Sequence, residues 1–356
     1  MTEANYSAHK SMMLAVREAM ALYLFDKKRE RDIPQIASIF LHLDEYYGDR
    51  IPLEVVVKEV NTLCSMLQDN YLGLNLNVLV DIEILPFYKA VEECIRPFSD
   101  IDNELPFLLV IRIVYRFFSL ITQSIALNLT EQTGSLRLEF ISNAPEITSK
   151  HQIDGAMIIA YRILEKLRPG MLEKVYIAHR KTSYELRYYR SIFGVPVELA
   201  SETSLIYDLK GKDHYKNANS IFIKSQEEVC RKFNINPLAN MLVDQFPEMS
   251  YKQRCEVLID TMRGLKPLNR KNIADLMNIS VSTLQRKLKE EGVSFQEILE
   301  DNRKKLAKKY LTENKLSTTD IAYLLGYKSH SQFFKVFKLW FGMTPKAYRN
   351  NCVNRA

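Results

Sequence analysis

The spacing of apolar residues changes character twice along the chain. Over about the first 130 residues they recur at the three-to-four spacing of helices with one buried face. Segments 7–25, 32–47 and 53–67 carry this pattern most clearly, and Pro52 stands where a helix begins. Residues 105–127, LPFLLVIRIVYRFFSLITQSIAL, form the most apolar long stretch. Arg112 and Arg116 interrupt it one turn apart, which is costly at a bilayer centre, so it reads as a buried core helix. The period then drops to two. In 134–141, Leu136, Leu138 and Phe140 alternate with Arg137 and Glu139, the pattern of a half-buried strand. A helix is predicted over 152–167, stopped by Arg168-Pro169-Gly170, followed by strands at 174–179 and 196–209 with a helix at 183–191 between them. This is an α+β arrangement rather than a repeating βαβ series. A polar connector, KGKDHYKNAN at 210–219, precedes a short helix, and 234–247 leads into the last domain. From Ser250 onward only helices are predicted. The expected organisation is an α+β domain over 1–215, a linker region over 216–249 and an all-α domain over 250–350.

The last domain contains a repeat. IADLMNIS at 273–280 matches IAYLLGYK at 321–328, and each is followed by a second helix, TLQRKLKEEG at 283–292 and QFFKVFKLWFG at 332–342. Each unit is a short helix opening on Ile-Ala, a tight turn, and a second helix that starts at a serine and carries basic residues. The small Ala274 and Ala322 allow close approach of the paired helices. Gly326 supplies the backbone freedom of a helix-turn-helix corner, and Asn278, which tolerates left-handed geometry, stands in the equivalent place. On the second helices, Phe333, Val336, Phe337, Trp340 and Phe341 share an inner face, as do Leu284 and Leu288 in the first unit. The outer faces match: Ser282 corresponds to Ser331 and Arg286 to Lys335, with Lys289 and Lys338 nearby, while Gln285 and Phe334 occupy the same flank. A helix over 295–311 joins the units. At ~1.5 Å per residue it spans roughly 25 Å, enough to hold two reading helices near one DNA turn apart, about 34 Å.

Charge agrees with this division. The 356 residues carry a formal net charge of +6, yet residues 251–356 hold 21 Lys and Arg against 10 Asp and Glu, a net of +11, which leaves −5 on the first 250. A basic third on an acidic body points to a polyanionic partner for that third alone. The five cysteines (Cys64, Cys94, Cys230, Cys255, Cys352) are scattered, without CxxC pairs or zinc-finger spacing, which favours a reducing cytosol. No N-terminal signal peptide is read. HExxH, GxSxG, Walker-type and GxGxxG patterns are absent, and 11 glycines leave little material for a phosphate-cradling loop, so no enzyme activity, metal or cofactor is expected.

The stretch 272–348 resembles the DNA-binding domain of AraC/XylS-type bacterial transcription regulators. Ile321-Ala322, Gly326-Tyr327, Ser331, Phe333, Phe337-Lys338, Gly342, Pro345 and Tyr348-Arg349 carry the likeness in the second unit. Ala274, Ser280, Leu284, Arg286, Lys289, Gly292, Arg303 and Ala307 carry it in the first unit and the joining helix. One departure falls at a reading position: the family usually has Arg where this chain has Lys335, and Lys cannot make the planar bidentate fork to guanine. FGVPVELASETSLIYDL at 193–209 is similar to the last part of the arabinose-binding-like N-terminal domain of the ornithine-regulator branch. The resemblance implies a cytoplasmic, nucleoid-associated activator that binds promoter DNA through two helices in successive major grooves and works with RNA polymerase. It also implies an N-terminal module that senses a small-molecule effector or forms a homodimer. A rival reading is an enzyme or binding protein whose acidic N-terminal domain does the main work, with DNA binding as a tether.

The expected DNA-contacting residues are Ser282, Thr283, Gln285, Arg286 and Lys289 in the first unit, and His330, Ser331, Gln332, Phe334, Lys335, Lys338, Lys346 and Arg349 in the second. Arg286 is the foremost base contact. Lys289, Lys338, Lys346 and Arg349 are placed for phosphates, where they add affinity without sequence choice. Phe334 could meet a thymine methyl or sit at the edge of the core. Asp320 reads as a capping or ion-pair residue and Arg303 as an internal salt-bridge residue. Arg112, Arg116, His151 and His179 read as structural residues.

Overall fold

The computed structural model describes residues 6–98, 107–132, 134–209, 234–246, 248–262, 268–313, 316–327 and 329–353. The chain divides into two compact units, Met1–Lys216 and Asn217–Ala356. The connector at 210–219, the short helix after it and Cys230 lie outside the described residues.

In the first unit, strand β1 (Ser7–His9) leads into helix α1 (Lys10–Asp26) and pairs antiparallel with β2 (Arg50–Pro52). The expected helix over 32–47 does not form as one element. A five-residue helix α2 (Ile33–Ala37) is followed by irregular chain and a single 3₁₀ turn at Leu43–Glu45. Only Ile36 of α2 is buried and only Leu43 of the later turn, so tertiary burial selects two anchor points and not a continuous face. Helix α3 (Leu53–Leu67) occupies the predicted span, with Pro52 as its N-cap residue. Helices α4 (Leu72–Leu79) and α5 (Pro86–Ile95) follow.

The apolar stretch expected to be one helix is two kinds of element. Helix α6 (Phe107–Phe117) is buried along most of its length, with Arg112 and Arg116 half-buried. After a 3₁₀ turn the chain becomes strand β3 (Ile125–Gln132). Strand β4 (Ser135–Ser142) pairs with it antiparallel and buries Leu136, Leu138 and Phe140 as the alternation requires. Helix α7 (Lys150–Leu167), β5 (Leu172–Ile177), α8 (Leu186–Phe193), β6 (Val197–Leu199) and β7 (Ser204–Asp208) complete the unit. The strand expected over 196–209 is therefore broken in two. Its halves do not pair with each other: the five-stranded sheet has the order β3-β4-β7-β5-β6, antiparallel except for β5 against β6.

Two contacts fix α7 in place. A Cβ on Gly73 of α4 would lie 2.1 Å from the carbonyl oxygen of His151, so only glycine lets the helices approach this closely. On another turn, the fully buried carboxylate of Asp154 receives Tyr189 Oη at 2.6 Å, Arg180 Nη2 at 2.7 Å and His179 Nε2 at 2.8 Å. A buried carboxylate persists where it is paired and hydrogen-bonded, as Asp154 is by these three donors. The other ring nitrogen of His179 lies 3.1 Å from Thr203 Oγ1, so both of its nitrogens have structural partners.

The second unit is helical throughout its described residues: α9 (Asn236–Gln245), α10 (Tyr251–Met262), α11 (Arg270–Leu276), α12 (Val281–Glu290), α13 (Phe295–Glu313), α14 (Thr318–Leu324), α15 (His330–Phe341) and α16 (Pro345–Val353). Helix α9 falls inside the stretch read as linker, and its Leu238 and Ala239 are fully buried. The joining helix α13 has 19 residues, two more than its sequence pattern indicates.

Candidate nucleic-acid interface

Helix pairs α11–α12 and α14–α15 are built alike at their corners. Asn278 has φ +54° and Gly326 φ +79°, so both turns pass through the left-handed region at the equivalent residue. Asn278 also donates from Nδ2 to Asn240 Oδ1 at 3.1 Å, tying the first corner to α9. Both second helices open on a serine cap. Ser280 Oγ accepts from Thr283 N at 3.0 Å, and Ser329 Oγ accepts from Gln332 N at 3.2 Å. Such caps satisfy amides left over at a helix start and set its first turn.

Below the outer faces, the inner faces are closed. Leu284 and Leu288 are buried beneath α12, and Phe333 and Phe337 are fully buried beneath α15. Val336, Trp340 and Phe341 are half-buried around them. Trp340 donates from Nε1 to Glu300 Oε1 of α13 at 2.8 Å. Arg303 of α13 donates to the Leu325 carbonyl at 2.9 Å and lies 4.9 Å from the centroid of the Tyr327 ring. It was expected in an ion pair; instead it braces the Gly326 corner through a carbonyl and an aromatic face. Asp320 is the third residue of α14, where it accepts from the hydroxyl of the capping Ser317 at 2.6 Å.

The structure sorts the expected DNA-contacting residues into two groups. Ser282, Gln285, Arg286 and Lys289 are exposed on α12, and Ser331, Gln332, Lys335 and Lys338 are exposed on α15, with Lys346 exposed on α16. The remainder have protein partners. Thr283 is half-buried, its hydroxyl 2.8 Å from Ser280 Oγ. His330 lies with its ring centroid 4.1 Å from that of Phe334 and its Nε2 3.2 Å from Thr318 Oγ1. Phe334 is half-buried between His330 and Phe333, at the edge of the core. Arg349 is half-buried and donates from Nη2 to the Leu316 carbonyl at 2.6 Å.

Two features were not singled out in the sequence. Arg270 lines a cavity of about 490 Å³ together with Gln285, Lys289 and Glu297, adding a cation beside α12. Arg286 Nη1 lies 2.6 Å from Glu290 Oε1, one turn along the same helix. The spacing of four residues is the sequence signal for this pair.

Residues 273–351 match the family described as a helix-turn-helix domain. The chain is similar to the HTH-type transcriptional activator CsvR of Escherichia coli, 25% identical over 223 residues, covering 60% of this chain and 81% of that protein. It is similar to the Ornithine utilization regulator of Pseudomonas aeruginosa, 34% identical over 114 residues, 28% of this chain and 34% of that protein. Among solved structures, the transcriptional regulator CdpR from Pseudomonas aeruginosa aligns with 94% of this chain and 97% of that one, at 15% identity and a TM-score of 0.40. Two capped helices with exposed basic faces on tandem helix-turn-helix corners define a DNA-binding transcription regulator. Its helix-turn-helix domain over 273–351 is the part of the chain that carries this likeness. The matched curated proteins are named as a transcriptional activator and a regulator. Among the described residues no helix is long and apolar enough to cross a membrane.

Proposed function

We propose that this protein controls transcription in the cytoplasm by placing α12 and α15 in successive major grooves of promoter DNA, under the control of a small molecule sensed by the N-terminal unit. The observation that carries the DNA reading is the matched pair of serine-capped helices whose outer faces expose Ser282 and Arg286 on one and Ser331 and Lys335 on the other. The joining α13, 19 residues long, spans about 28 Å at ~1.5 Å per residue, which suits one face of a duplex. Arg286 reads a base; Lys289, Lys338 and Lys346 bind phosphates. CsvR is named as an activator, and activation through contact with RNA polymerase is the mode proposed for this chain as well.

Selection of bound duplexes from a random-sequence library by the full chain tests the DNA reading. A recovered motif with two half-sites about 10 base pairs apart supports it, and recovery of unrelated sequences overturns it. The sensing role is tested by thermal shift against amino acids, sugars and fatty acids. A ligand that binds the folded chain raises the melting temperature with concentration. Absence of any shift, together with concentration-dependent dimerisation of the chain, would assign the N-terminal unit to dimerisation alone.

A further inference from the structure

The outer faces of the two reading helices differ at one matched position. On α12, the residue four past Arg286 is Glu290, whose carboxylate holds Arg286 Nη1 at 2.6 Å and lies 3.5 Å from Lys287 Nζ. On α15, the residue four past Lys335 is Leu339, 84% exposed. Among the described residues no carboxylate stands within ion-pair distance of Lys335. The neighbouring Glu291 is engaged away from this face, where its carboxylate accepts from the backbone amides of Tyr251 and Lys252, both at 2.8 Å, and caps α10. Among the described residues, Glu290 serves no such capping contact. Its partners are Arg286 on the reading face and Lys287 beside it.

We infer that Glu290 is a specificity-determining residue of this DNA-binding domain, a reading that rests on the proposed role of α12 in the major groove. A carboxylate on that face repels phosphates and competes with them for the Arg286 guanidinium. Random DNA offers Arg286 a phosphate at best, and the Glu290 contact opposes that exchange. A guanine at the right place offers two acceptors in bidentate geometry, which outweighs an exposed ion pair. Glu290 thus makes the cation on α12 conditional on sequence, whereas Lys335 on α15 binds without such a condition. The first helix discriminates, and the second supplies affinity.

The test compares the full chain with its Glu290→Gln variant on two probes: a duplex selected by the wild-type chain from a random library, and an unrelated duplex of equal length. Affinity for the unrelated duplex should rise about two- to fivefold, the strength of an exposed ion pair, with a smaller change on the selected one. The salt dependence on the unrelated duplex should steepen by about one in log–log slope. In Leu339→Glu, which gives Lys335 a partner at the same spacing, binding to the unrelated duplex should fall by a similar factor. An unchanged ratio of selected to unrelated affinity in Glu290→Gln, or equal loss on both probes, overturns the inference. If the wild-type chain selects no sequence at all, the failure lies instead with the base-reading role of α12.

Discussion

At the scale of single residues, the two kinds of arginine in this chain carry opposite expectations. Arg286 is exposed on α12, so its removal should leave the fold intact. Arg286→Ala should cost about 1–3 kcal/mol of binding to a selected duplex and relax discrimination at one base pair, measured by fluorescence anisotropy against a panel of single-base variants. Arg180 is buried with Asp154, and breaking that pair leaves a charge without compensation. Asp154→Ala should lower the stability of the N-terminal unit by about 3–5 kcal/mol in urea denaturation. His151 adds a pH dependence. Burial, chiefly, depresses its pKa from 6.5 to about 4. Between those values the unfolded chain binds a proton that the folded chain does not, so the His151 contribution is complete above about pH 6.5 and is lost as pH falls toward 4. His151→Gln should flatten the fall in urea midpoint between pH 7 and pH 5. Exposed positions such as Arg286 and Lys335 were legible from helical phase. The protein contacts of Arg349 and His330 were not, because a side chain long enough for a phosphate is also long enough for the nearest carbonyl or ring.

At the scale of elements, the two reading helices were readable because they carry their own punctuation: Ser280 and Ser329 at the starts, Asn278 and Gly326 at the corners before them, Gly342 with φ +70° at the end of α15. Ser329→Ala removes the cap of α15 and should cost about 1 kcal/mol, seen as a lower melting temperature together with weaker DNA binding. The departures in the N-terminal unit have a physical cause. The apolar stretch 105–127 runs across the change from period 3.6 to period 2, and the alternating polar residues that mark β3, Asn128 and Thr130, lie beyond its end. In 32–47 the helical spacing is present, but the structure uses only parts of it. The closeness of α4 and α7 was equally hidden, because nothing around Gly73 in the sequence shows that His151 will lie against it. Gly73→Ala should destabilise the unit by about 1–3 kcal/mol or more in thermal denaturation, as the two helices move apart.

At the scale of the whole molecule, the asymmetry of charge between the acidic first 250 residues and the basic remainder decides how binding responds to salt. Affinity for a selected duplex should fall linearly in log–log plots with a slope of about −0.9 per phosphate neutralised. Substituting Lys289, Lys338 or Lys346 should each make that slope shallower by about one while leaving sequence preference unchanged. The adjacent pair Glu290 and Glu291 then has a consequence for how such a protein can diverge. One glutamate faces the reading surface and the other holds α10, so substitutions at two neighbouring codons are filtered by different kinds of selection. Position 291 is constrained by the α10 cap that its carboxylate supplies. Position 290 supplies no such cap, so on the proposed reading a substitution there should change which duplexes are refused while leaving the melting temperature unchanged.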